Sequence, residues 1–203
     1  MSQFPDAKAL FSAIATLLTF VAFVPYYLSI WNRRVRPHVF SWFIWGGGTM
    51  IVFFAQLAGG GGIGAWPAVV SALLTLGVGG FALWRSPDLS IKRIDLVFLT
   101  LAAMALPLWF LTETALSAVI VLTIVDLLGF GPSVRKAYSL PHEESAFFFF
   151  ISVVRNVFVL MALETLSWTT ALFPAAVLAA CSAFVVLIFL RRAMVSGPQE
   201  TPA

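Results

Sequence analysis

Residues 8–31 read KALFSAIATLLTFVAFVPYYLSIW and run directly into Asn32-Arg33-Arg34. Between Lys8 and Arg33 lie 24 consecutive residues without a charge. A bilayer core about 30 Å thick needs about 20 such residues in a helix, and basic residues collect where a helix leaves the membrane on the cytoplasmic side. The stretch therefore reads as a membrane span that ends at a cytoplasmic face. It is too long for the apolar region of a cleavable signal, and Lys8 is a lone cation before it, so it is read as a true first span.

The rest of the chain repeats this pattern. Of 203 residues, 61% are hydrophobic and 10% charged, against about a quarter charged in soluble domains. Length, flanking charge and Gly or Pro punctuation predict spans at 8–31, 38–58, 63–84, 94–112, 115–138, 145–163 and 168–190. Gly59-Gly60-Gly61-Gly62 reads as a turn at one membrane face, because four glycines make a helix costly to continue. The clearest polar break is RSPDLSIKR at 85–93.

Charge tests the count. Arg33, Arg34 and Arg36 follow the first span; Arg85, Lys92 and Arg93 the third; Arg135 and Lys136 the fifth; Arg191 and Arg192 the seventh. Those ten of the twelve cations fall on one face if there are seven passes, which puts the amino terminus outside and the carboxyl terminus in the cytoplasm of a plasma (inner) membrane. The other two are Lys8 and Arg155, the latter inside the sixth span. Residues 193–203 read as a disordered cytoplasmic tail.

A shift of 107 residues places Thr16 on Thr123, Phe23 on Phe130, Pro25 on Pro132 and Trp31 on Tyr138. A serine opens the next span in each half, Ser41 and Ser145, and Trp66-Pro67-Ala68 is echoed by Phe173-Pro174-Ala175. The predicted fold is an all-α integral membrane protein of seven transmembrane helices. It comprises a first three-helix repeat (1–84), a linker helix (85–114) and a second repeat (115–192). Because three helices and then an unpaired fourth separate equivalent positions, the two three-helix bundles are parallel, related by an axis along the membrane normal.

On Pro25 in FVPYYLSIWNRR and Pro132 in FGPSVRKAY, each followed by a basic loop and a serine, the chain resembles the SWEET and PQ-loop (MtN3-like) transporter superfamily, as a divergent bacterial-type member. The glutamine that follows the proline in that family is Tyr26 in one half and Ser133 in the other. The third-helix asparagine of sugar carriers has no counterpart near Ser71 or Leu178. The resemblance implies a carrier that alternates access between two bundles, with Pro25 and Pro132 as hinges. Its solute would be small and polar, a sugar or a vitamin- or nucleoside-like molecule.

Several polar residues lie within spans. Asp126 and Arg155 sit about eleven and ten residues into their spans, so both fall near mid-bilayer, where an unpaired charge costs at least about 2.5–3.5 kcal/mol. They are expected to pair, either as a permanent staple or as a substrate-binding or protonation-coupled pair. Ser41, Trp45, Thr49 and Gln56 share one helical face, and Ser152 and Asn156 lie four apart on the sixth span. With Ser71, Asp126 and Arg155, the residues Trp45, Thr49, Gln56, Ser152 and Asn156 form the candidate substrate-binding set, with interhelical hydrogen bonding as the alternative for the amides. Gly46-Gly47-Gly48 suggests close helix packing. Tyr26 and Tyr27 are candidate inner-gate residues or interfacial anchors. Trp31, Trp66, Trp84 and Trp168 read as interfacial belt residues.

Other classes find less support. Basic residues are clustered beside spans rather than interleaved with exposed aromatics, so nucleic acid is not an expected partner. His38 and His142 stand in loops without a second ligand at metal spacing, Cys181 is single, and no nucleophile has a matching base, so no enzyme, cofactor or metal site is expected. No lysine lies between Trp168 and Leu190 to carry a Schiff-base pigment. The partners are then a small-molecule solute and membrane lipid, with a homo-oligomer left open. A non-transporting seven-helix receptor or an accessory membrane subunit is the alternative function.

Overall fold

In the computed structural model, residues 5–33, 39–85, 93–139, 141–143 and 146–195 are described. All regular structure among them is helical: α1 (Pro5–Trp31), α2 (Val39–Ala58), α3 (Trp66–Arg85), α4 (Arg93–Thr112), α5 (Ala115–Gly129), α6 (Gly131–Ser139), α7 (Ala146–Ala162) and α8 (Trp168–Met194). Short 3₁₀ turns stand at Gly62–Ala65 and Pro141–Glu143. Five helices, α1 to α4 and α8, are long and apolar enough to cross a membrane; α5 and α7 are apolar but shorter. The architecture is that of an all-helical chain compatible with a membrane protein. His38, Ser145 and residues 196–203 lie outside the described residues.

One expected span is corrected. The segment 115–138 is two helices, because α5 ends at Gly129 and α6 restarts at Gly131. The physical reason is local. Pro132 has no N–H to continue the ladder and glycines flank Phe130, so the Phe130 amide turns to the Leu127 carbonyl (3.1 Å) and the ladder resumes with Val134 N–H to Phe130 O (2.9 Å). Pro25, by contrast, stays inside an unbroken α1, and the Ser29 hydroxyl donates to its carbonyl (2.9 Å). The expected tail is also shortened, since α8 carries Ala193 and Met194 in helix.

Helix neighbours follow a simple order. Helix α3 lies against both α1 and α2, and α8 lies against both α5 and α7. Helix α1 packs on α7, α2 packs on α5, and α4 covers α5 and touches α2. Lipid is as apolar as leucine, so such contacts are driven by close packing of small residues rather than by escape from water. The sequence supplies those residues. A side chain at Gly46 would run into Leu76 of α3, with Cβ only 2.6 Å from its Cγ, and one at Gly48 would press on Leu122 of α5 at 3.2 Å. Buried Ala102 and Ala105 of α4 meet Ala118 and Leu122 of α5 beside Ile44 and Val52 of α2.

Polar side chains within the helices mostly serve their own helix. Thr19, Thr49, Thr75, Thr123, Ser152 and Ser182 each donate to the carbonyl four residues earlier. A hydroxyl with no water available takes that nearest acceptor.

The two ends of the helix array differ in composition. Arg33, Arg85, Arg93, Arg191 and Arg192 mark a basic end. The turn at Gly59–Gly62, the start of α1 and the segment 163–167 share the opposite, glycine end, where Lys8 reaches the Leu163 and Glu164 carbonyls. Trp31, Trp84, Trp66 and Trp168 are all exposed at helix ends, as belt residues would be.

Candidate functional site

The mid-helix charges do not pair. Among the described residues Asp126 and Arg155 form no ion pair, and the reason is angular: α8 packs against both α5 and α7 and stands between them. Equal depth was legible in the sequence, but the faces of the two helices were not.

Arg155 instead stitches three helices. Its Nε donates to Thr19 Oγ1 of α1 (2.8 Å), Nη2 to the Pro67 carbonyl of α3 (3.0 Å) and Nη1, more weakly, to Asn156 Oδ1 (3.4 Å). Asn156 is buried and gives its Nδ2 to the Ser152 carbonyl (2.8 Å). The guanidinium thus sits in a cage of neutral acceptors. Thr19 is satisfied in both roles, because its hydroxyl donates to Ala15 O at 2.9 Å while accepting from Arg155.

Asp126 stands in the opposite situation. It lines a cavity of about 10 Å³ with Ile44, Trp45, Gly48, Leu122, Val125 and Phe173, at the junction of α2, α5 and α8. That is the lower limit of space for one water molecule. Asp126 has no hydrogen-bond or ion-pair partner among the described residues. Trp45 packs edge-on against Trp42 (centroids 5.8 Å), and Trp42 stacks at a tilt on Tyr26 (4.9 Å), so three rings lead from the basic end to the carboxylate.

The remaining candidate residues are dispersed. Thr49 donates to the Trp45 carbonyl (2.8 Å) and Ser152 to the Phe148 carbonyl (3.0 Å), while the Ser71 carbonyl accepts from Thr75 (2.7 Å). Gln56 is buried near the glycine end, where its Nε2 donates to the Thr170 carbonyl of α8 (2.9 Å) and its Oε1 has no partner among the described residues. Tyr27 is held to α3 by a bond from its hydroxyl to Leu74 O (2.7 Å), seated against Gly77. Pro132 is the second residue of α6. The structure therefore brings together Trp45 with Asp126, with Thr49 one turn away bonded to its own helix, and Arg155 with Asn156, and leaves Gln56 and Ser71 apart from both.

At the glycine end the backbone itself joins the segments. Glu164 N–H donates to Gly61 O and Thr165 N–H to Gly60 O, both at 3.1 Å, and Ile63 N–H donates to Glu164 Oε1 (3.1 Å). Gly60 (φ 78°) and Gly62 (φ 57°) adopt left-handed backbone, and a Cβ on Gly62 would collide with the Glu164 carboxylate. The glycine run is thus more than a turn: it lets the 163–165 segment approach the backbone.

Thr19, Glu164 and the Lys8 contact were not among the sequence-based candidates. One signal could have exposed the first, because the 107-residue shift that aligns Pro25 with Pro132 also places Thr19 on Asp126.

No family model, curated protein or solved structure matches the chain.

Proposed function

We propose that the chain is a membrane carrier that moves a small polar solute by alternating access between two parallel three-helix bundles. The first is α1–α3; the second is α5, α7 and α8, with α4 as linker and α6 continuing α5 into the cytoplasm. This is a seven-pass reading, with the basic end cytoplasmic in a plasma (inner) membrane and the glycine end outside. It carries the resemblance to the SWEET and PQ-loop superfamily from the motifs to the helix order.

The observation that carries this reading is reciprocal packing. In each proposed bundle the third helix sits between the first and second, and each bundle's first helix packs on the other's second, α1 on α7 and α5 on α2. Such an arrangement is what a two-fold axis along the membrane normal generates. The interface holds only a water-sized space beside Asp126, so the carrier reading requires the bundles to part. Pro25 and the break at Phe130–Pro132 are the proposed hinges, with Tyr26 and Trp42 at the mouth that opens.

The test is uptake by proteoliposomes of a panel of sugars, nucleosides, vitamins and amines. Saturable uptake of any of them supports the carrier. Binding without uptake under any gradient would instead favour a seven-helix receptor or an accessory subunit.

A further inference from the structure

The two crossed interfaces are related in sequence yet filled differently. At one, Thr19 of α1 meets Arg155 of α7, and the protein's own cation occupies the space between the helices. At the other, Asp126 stands at the position that aligns with Thr19, and opposite it on α2 are Trp45 and Gly48 around a small chamber. A carboxyl group faces that space, and no described residue pairs with it.

We propose that the Asp126 chamber binds the positively charged nitrogen of an organic-cation solute, with Trp45 as its aromatic wall and Tyr26 and Trp42 as the approach from the basic end. This rests on the carrier reading for its transport role, and its binding needs the bundles to part, because the chamber has room for about one water molecule. The lining chooses the class of cation. A hard metal ion takes six or more oxygen ligands, whereas here one carboxylate stands among Ile44, Leu122, Val125 and Phe173. A sugar needs several free hydrogen-bonding groups, but the nearby Thr49 hydroxyl is committed to its own helix. An alkylammonium or ring-nitrogen cation needs a carboxylate, an aromatic face and apolar walls, which is the set present.

The direction of entry follows from the hydrogen bonds. Bonds between described residues of the two bundles include those at the glycine end and at Arg155. Parting the glycine end would break them, so Tyr26 and Trp42 at the basic end are the proposed approach.

The experiment uses the full chain in nanodiscs with three probes, tetramethylammonium, choline and N-methylpyridinium, and glucose as the neutral control. We expect at least one of the three cations to raise the melting temperature saturably and glucose to leave it unchanged. The apparent affinity should fall at least about tenfold in Asp126→Asn and in Trp45→Leu and survive in Asp126→Glu. In the unmutated chain the bound cation should also slow carbodiimide labelling of Asp126, read by mass spectrometry, which needs no variant to fold. The inference is overturned if none of the three cations binds, or if a bound cation leaves both the labelling rate and the Asp126→Asn affinity unchanged. Uptake of glucose with no cation binding would sink this inference and leave the carrier standing. Cation binding without uptake would do the reverse.

Discussion

The glycine end and the basic end of this molecule are held by different kinds of contact. At the glycine end, backbone meets backbone across the proposed bundles: Gly60 and Gly61 carbonyls accept from Thr165 and Glu164, and Lys8 bonds two further carbonyls at 2.7 and 3.0 Å. At the basic end, side chains bond carbonyls within one proposed bundle: Tyr27 to Leu74 O (2.7 Å), Arg191 to Tyr138 O (2.9 Å) and Arg192 to Pro141 O (3.0 Å). Backbone bonds cannot slide without being broken. On the carrier proposal, the difference makes the glycine end the one whose parting costs backbone hydrogen bonds.

The largest effect comes from locking the tied end. A Cβ on Gly60 would stand 3.5 Å from Thr165 Cβ, within the range a disulfide spans, about 3.5–4.5 Å. In a Cys181→Ser background, the pair Gly60→Cys and Thr165→Cys should oxidise, at a cost of about 1–2 kcal/mol for a side chain in the left-handed backbone of Gly60. If the glycine end must open during each cycle, the oxidised protein loses uptake and reductant restores it. Undiminished uptake by a fully oxidised sample would show that this end never parts.

Arg155 provides the next effect. Arg155→Asp would place a carboxylate against the Pro67 carbonyl and Asn156 Oδ1, both acceptors. An uncompensated buried charge of this kind costs about 3–5 kcal/mol. For a chain of this size that lowers the melting temperature by about 2–4 °C per kcal/mol. Because Asp126 is not its partner, adding Asp126→Arg should not rescue the loss. A double variant more stable than Arg155→Asp alone would restore the ion pair that the structure lacks.

These contrasts also mark what the sequence could tell. The helices were legible because charge-free runs of about 20 residues are physical rulers; the expected 38–58 and 94–112 lie within a residue of Val39–Ala58 and Arg93–Thr112. The break at Phe130 was not, because glycine and proline within an apolar run fit a kinked span as well as a broken one. The faces of α5 and α7 were not legible either. Depth follows from counting residues, but direction depends on which helix intervenes, and α8 is distant in sequence from α5. Lys8 was visible as a charge, yet its partners are carbonyls, which every residue has.

A smaller effect is expected at Lys8. Its ammonium donates to the Leu163 and Glu164 carbonyls in a partly exposed setting. Hydrogen bonds to a charged group are worth about 1.5–3 kcal/mol when buried, and exposure reduces this. Lys8→Met should therefore lower the melting temperature by a few degrees. It should also speed labelling of a cysteine placed at Gly60 by a membrane-impermeant thiol reagent, since the tie that shields it is weakened. A stability loss with no change in labelling would make Lys8 an anchor for the start of α1 alone.

The smallest effect separates polar residues that face a solute from those that merely lie within a span. Thr49 and Ser152 each spend a hydroxyl on the carbonyl one turn back in the same helix, at 2.8 and 3.0 Å. That carbonyl is already an acceptor in the helix ladder, so losing the second bond leaves no unsatisfied group behind. Thr49→Val also keeps the shape of the side chain, and its cost should stay below about 1 kcal/mol. Ser152→Ala removes one oxygen and should cost no more. Uptake and cation affinity should be unchanged in both, in contrast to Trp45→Leu one turn away from Thr49. A tenfold loss in Thr49→Val would mean that its hydroxyl turns from the helix to the solute when the chamber opens, and would add a hydrogen-bonding group to a site now defined by one carboxylate and an aromatic wall.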